Sequence, residues 1–135
     1  MKVNVRMCTE IVDTEGAVES HLHESVGDLI ETGGNFYLRY HEKEGASVVL
    51  KIGGSGEVDL TRQGEHKTKL RFVSGAEVES QIATIYGVMN LWCAAERVDV
   101  RIVRAPEFSA CIEIDYRLKS LDSELGKYRL RVSFK

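Results

Sequence analysis

Proline is almost missing from this chain: there is one in 135 residues, against 43% hydrophobic residues. A sequence so poor in proline and so rich in apolar side chains has no disordered signature, and its length fits a single domain, residues 1–135, with a core of its own. Cysteine is scarce as well. Cys8, Cys93 and Cys111 are odd in number and show no CxxC spacing, which fits reduced thiols better than a disulfide framework. Charge of either sign is not in excess: 18 basic residues face 21 acidic ones, and no basic stripe marks a nucleic-acid surface. No segment approaches the roughly 20 apolar residues of a membrane helix. The opening residues Met1 to Met7 alternate and carry charge, without an apolar signal-peptide core, so the expected location is the cytoplasm. Neither nucleic acid nor membrane is an expected partner. There is no Gly-x-Ser-x-Gly, no phosphate-binding glycine loop and no pair of carboxylates on an apolar face, and no cofactor is expected.

What is present is parity. Phe36, Leu38, Tyr40, Val48, Leu50, Ile52, Val58, Leu60, Leu70, Phe72, Val78 and Ile82 are all even-numbered. Alternate side chains of a strand point to opposite faces, so these residues share one surface only if every intervening turn preserves parity. Three-residue loops do so at Lys43-Glu44-Gly45, Gly54-Ser55-Gly56, Gln63-Gly64-Glu65 and Ser74-Gly75-Ala76, and each contains glycine. The spacing predicts a meander of short antiparallel hairpins.

Alternation continues on both sides. Val3, Val5, Met7 and Ile11 form one face of a first strand. Residues 17–32 are a second extended run, with a bulge or bend expected at Gly27. Residues 78–104 read as one long strand, or as two broken near Tyr86-Gly87. Within them the apolar parity changes from Leu91, Cys93 and Ala95 to Val98, Val100 and Ile102, which predicts a bulge near Glu96-Arg97. Phe108 to Leu118 and Tyr128 to Phe134 are the last two strands, joined by a loop over residues 120–126. No segment of helical length has a better 3.6 than 2.0 period. The expected fold is all-β: one antiparallel up-and-down barrel of about eight to ten strands, closed so that no sheet edge is left bare. A two-sheet sandwich is the alternative.

Gly56-Glu57-Val58, then Arg62, Gly64, Lys67 and Lys69, then Arg71-Phe72-Val73-Ser74-Gly75-Ala76, with Tyr86-Gly87 downstream, resemble the YwiB-like family of small uncharacterised bacterial proteins. The resemblance is specific over roughly residues 27–91 and strongest at Arg71–Ala76. It implies a lipocalin-like, calycin-type barrel, and it implies no activity, because that family offers no catalytic residues to carry over.

Several residues could carry chemistry. Arg62 and His66 have inward parity, and a loop over 63–65 makes them cross-strand neighbours at one barrel mouth. There they could hold a carboxylate or phosphate head group, or simply be solvated. Ser80, Thr84 and Tyr116 are polar groups on the inward face that need wall, water or ligand partners. His21 and His23 are two apart on a face expected to be wet, opposite Val18 and Leu22, and without a third ligand they predict no metal site. Arg71 is expected to pair with Glu79 across its hairpin. Cys93 is expected to face inward and be inert. Val88 and Trp92 have outward parity and form a candidate contact surface for a homodimer. Two readings follow. In the first, a cytoplasmic barrel binds a small apolar or carboxylated ligand in its interior. In the second, a filled barrel serves as a non-enzymatic interaction or scaffold protein, as a monomer or a homodimer through an outer face.

Overall fold

A computed structural model describes residues 1–135 as ten strands with no helix. They are β1 (Lys2–Val12), β2 (Val18–Thr32), β3 (Asn35–His41), β4 (Ser47–Ile52), β5 (Val58–Gln63), β6 (Lys67–Phe72), β7 (Glu77–Thr84), β8 (Gly87–Val103), β9 (Ser109–Lys119) and β10 (Glu124–Phe134). Each pairs antiparallel with its neighbour in sequence, and β1 pairs with β10 to close the barrel. The expected break near Tyr86-Gly87 therefore separates two strands. The closing ladder runs from Val5 opposite Phe134 to Val12 opposite Lys127, and reciprocal Asn4–Lys135 backbone hydrogen bonds of 2.8 and 3.1 Å extend it.

The parity pattern becomes the core. Leu38, Tyr40, Val48, Leu50, Ile52, Val58 and Phe72 are almost fully buried, and β1, β8, β9 and β10 add Val5, Cys93, Ile112, Ile114, Val132 and Phe134. The change of parity in β8 is a register shift between Ala95 and Arg97, where one extra residue lets both halves of the strand present apolar side chains inward. The loop before β10 covers only residues 120–123, shorter than expected, because a second shift between Glu124 and Gly126 brings the strand into the sheet earlier.

Three expectations are corrected. Gly27 makes no bulge: the β1–β2 ladder is continuous from Lys2–Asp28 to Val12–Val18. Its missing side chain serves instead a close approach, since a Cβ there would lie 2.9 Å from the Arg39 carbonyl oxygen and 3.1 Å from Val5 Cγ2. The loop between β5 and β6 is Gly64–His66, one residue later than expected, so Arg62 lies opposite Thr68 rather than His66. Arg71 pairs with Asp59 on β5, its Nη1 3.0 and 3.1 Å from the two carboxylate oxygens, and not with Glu79. The β6–β7 ladder ends at Lys69–Gln81, which leaves Arg71 and Glu79 unbridged.

The ladder is also released on the other side of the hairpins. β2 pairs with β3 only from Asp28–Arg39 to Thr32–Asn35, so Val18 to Gly27 pair with β1 alone.

The crowding at Gly27 makes a direct prediction. Gly27→Ala should destabilise the barrel by about 1–3 kcal/mol, because the contact is with backbone that cannot swing away. Urea unfolding measures it, and an unchanged midpoint would show that the two strands are free to separate there.

Candidate functional site

One barrel end carries the loops at residues 13–17, 42–46, 64–66, 85–86 and 120–123. Here Arg62 reaches from β5 to Glu42, just past β3. Its Nε and Nη2 donate to the two carboxylate oxygens at 2.8 and 2.9 Å. The hydrogen bond from Arg62 holds the Glu42 carboxyl below its ordinary range, with burial opposing. Arg62 is thus already neutralised by an internal carboxylate. His66, in the loop, is exposed and takes no part.

His23 does take part. Because it lies opposite Met7, and cross-strand partners share a face, it points inward with Met7. Its ring stacks on Tyr40 at 6.0 Å, and its Nε2 is buried with no hydrogen-bond partner. Tyr40 donates its hydroxyl to Met7 Sδ at 3.2 Å, and burial pushes its pKa far above the ordinary phenol value. The same register turns Val18 and Leu22 outward, 66% and 57% exposed, which reverses the faces expected of this strand. His21 stays exposed and holds Glu19 at 3.0 Å.

The other candidates are dispersed. Thr84 belongs to the β7–β8 turn: its Oγ1 donates to the Gly87 carbonyl and accepts from the Tyr86 amide. Ser80 is 3% exposed with an unpartnered Oγ, next to the released part of the β6–β7 seam. A groove of about 440 Å³ follows that seam, lined by Asp59, Lys69, Arg71, Glu79 and Ser80 among others. Tyr116 packs between Phe72 at 4.7 Å and Tyr128 at 5.0 Å as part of the core, and burial raises its pKa. Cys93 is fully buried, and desolvation pushes its thiol up to about 12, so it is a poor nucleophile. Val88 is 63% exposed. Trp92 is half-buried on the outer wall, between Glu79 and Lys119 in the ladder.

The outer wall of β8–β10 is covered by ion pairs. Arg97 donates to Glu113 at 2.9 Å and to Asp115 at 3.0 Å, Arg129 reaches the other Asp115 oxygen at 3.0 Å, and Arg131 reaches Glu113 at 3.3 Å. Burial works against the Asp115 carboxylate, yet hydrogen bonds from Arg129 and Arg97 hold it below its ordinary range. No group of three or more His, Cys, Asp or Glu side chains is placed to hold a metal ion.

An open groove of about 630 Å³ lies across the wall formed by β2, β1, β10 and β9. It is bordered by Asn4, Arg6, Glu24, Val26, Ser109 and Ser133. The barrel interior is occupied by a cluster of 22 buried apolar side chains.

A family model described as a domain of unknown function, DUF1934, matches residues 5–132. The chain belongs to that family. Among solved structures it is similar to the crystal structure of ywiB protein from Bacillus subtilis, with a TM-score of 0.83 at 19% identity, covering 99% of this chain and 90% of that one. The YwiB-like resemblance and the closed antiparallel barrel both hold. No curated protein matches. No helix is long and apolar enough to cross a membrane.

Sequence patterning missed Glu42 and His23. Arg62 with a carboxylate four residues beyond the inward Leu38 was the signal for the first. The second was hidden by assigning β2 to the wrong face. Glu42→Gln should lower the melting temperature at pH 7 by about 3 °C, for roughly 1 kcal/mol of a partly screened pair. A depressed carboxyl contributes stability above its unfolded pKa and loses it as pH falls through the folded value. The gap between wild type and Glu42→Gln in thermal melts should therefore be full at neutral pH and close below about pH 4. A gap independent of pH would contradict the pairing.

Proposed function

We propose that this chain is a non-enzymatic interaction module of the bacterial cytoplasm: a calycin-type barrel whose interior serves as a scaffold and whose outer surface meets other macromolecules. The observation that carries the reading is the distribution of apolar residues. Twenty-two are packed inside, whereas Val18, Leu22, Val26 and Ile30 on β2, and Ile85, Tyr86, Val88 and Met89 at the β7–β8 hairpin, are between 47% and 93% exposed. Large apolar side chains gathered on two places of a surface favour contact with a partner. Three free cysteines agree with a reducing compartment.

A second reading keeps a small apolar or carboxylated ligand at the end where Arg62 lies. One observation favours it: the unpartnered, buried Nε2 of His23 beside the Arg62–Glu42 pair. Against it, a carboxylate arriving there has to displace Glu42 from Arg62.

Titration with dodecanoate, followed by methyl and imidazole NMR shifts, separates the two. The interaction reading predicts that Leu50, Ile114 and His23 stay unshifted up to about 1 mM, a concentration that detects millimolar affinity. A saturable shift of His23 together with core methyls would overturn it in favour of the ligand-binding barrel, and Arg62→Ala should then weaken the complex.

A further inference from the structure

The released half of β2 is an edge strand of unusual composition. Residues Val18 to Val26 pair with β1 on one side and have no ladder partner on the other. Seven of these nine residues are exposed. Natural edges are blunted by charged side chains, lysine above all, by proline, β-bulges or brevity. This one reads Val-Glu-Ser-His-Leu-His-Glu-Ser-Val: it has no lysine, no proline and no bulge, and its only charges of that kind are Glu19 and Glu24.

The stretch is also self-complementary. Read from either end about Leu22, it gives valine, then glutamate and serine in one order or the other, then histidine. An antiparallel two-fold centred on Leu22 places Val18 opposite Val26 of the second copy and Leu22 opposite its own counterpart. Ser20 then faces Glu24, Glu19 faces Ser25, and no glutamate meets a glutamate. Directly opposed residues of antiparallel strands are the units that stabilise or oppose a pairing, and a two-fold interface must match its own pattern. The outward Val18, Leu22 and Val26, 66%, 57% and 62% exposed, become three apolar pairs across the two-fold, alternating with the Ser20–Glu24 pairs on the same face. Two of the neighbouring charges on the same wall are paired within each copy, with Lys2 on Asp28 at 2.7 Å and Arg6 near Glu24 at 3.8 Å, and the remaining carboxylates of the segment meet serines across the two-fold rather than each other.

We infer that β2 pairs edge to edge with β2 of a second copy, joining two barrels through a continuous antiparallel sheet centred on Leu22. This deepens the interaction reading by naming the partner, and it rests on that reading only for the use of the outer surface. Nine residues give about eight new backbone hydrogen bonds. The partner surface is distinct from the one around Val88 and Trp92.

Sedimentation velocity of the intact chain from micromolar to about 1 mM tests it, with Leu22→Lys and Val88→Lys compared. The expected result is a monomer–dimer equilibrium that Leu22→Lys weakens roughly tenfold or more and Val88→Lys leaves alone. Leu22 is more than half exposed, so its replacement spares the core. A second measurement does not depend on that variant. With Cys8 and Cys111 replaced by serine, Ser20→Cys and Glu24→Cys together should oxidise to a covalent dimer, since opposed residues lie within disulfide reach whereas the two sites in one chain are about 13 Å apart. A chain monomeric at 1 mM with no covalent dimer overturns the inference, and so does a dimer broken by Val88→Lys but not by Leu22→Lys. Either failure leaves the filled interior, read by dodecanoate, unaffected.

Discussion

The ladder between β1 and β10 is the constraint from which the rest of the molecule follows. It joins the most distant strands in sequence, eight residue pairs long, and turns an open meander into a barrel with one inside and one outside. Closure makes parity binding: a single slipped residue would carry a whole strand's apolar set into water. The two register shifts, in β8 and at the start of β10, are where the chain absorbs the mismatch between a regular pleat and a closed wall. Gly27 is where β2 and β3 come too close for a side chain.

Closure also has to reconcile strands of unequal length. β2 and β8 have 15 and 17 residues, whereas β3 to β6 have six or seven. A seven-residue β3 cannot cover a 15-residue β2. The excess of β2 before Asp28 therefore leaves the common wall with β1 as its sole partner. The free edge is a consequence of that inequality, whereas the outward turn of Val18, Leu22 and Val26 is set by the register against β1. The closed barrel is edge-free only where its strands overlap.

Much of this was legible in the residues, and for a physical reason: a period of two with glycine-bearing odd loops leaves little choice of face between Phe36 and Phe72. The bulge near Glu96-Arg97 was legible too, because an apolar pattern that changes parity needs one extra residue. β2 was not. Its even positions Val18, Leu22, Val26 and Ile30 are the more apolar ones, so burial alone would turn them inward. Register against β1 decides otherwise by pairing His23 with Met7 and Leu22 with Cys8. Arg62 was correctly given inward parity, but a one-residue displacement of the β5–β6 loop moved His66 away. Its true partner, Glu42, comes from a hairpin 20 residues earlier, a juxtaposition made only by the folded wall.

Native-state hydrogen exchange of the paired amides of β1 and β10 tests the closed barrel most directly. Closure predicts that amides around Met7 and Val132 exchange only through global unfolding, as slowly as those of Leu50 and Ile114 in the middle of the sheet. Exchange of the β1 and β10 amides at a much lower free energy, with the hairpins of β3 to β6 still protected, would show an open sheet and contradict it.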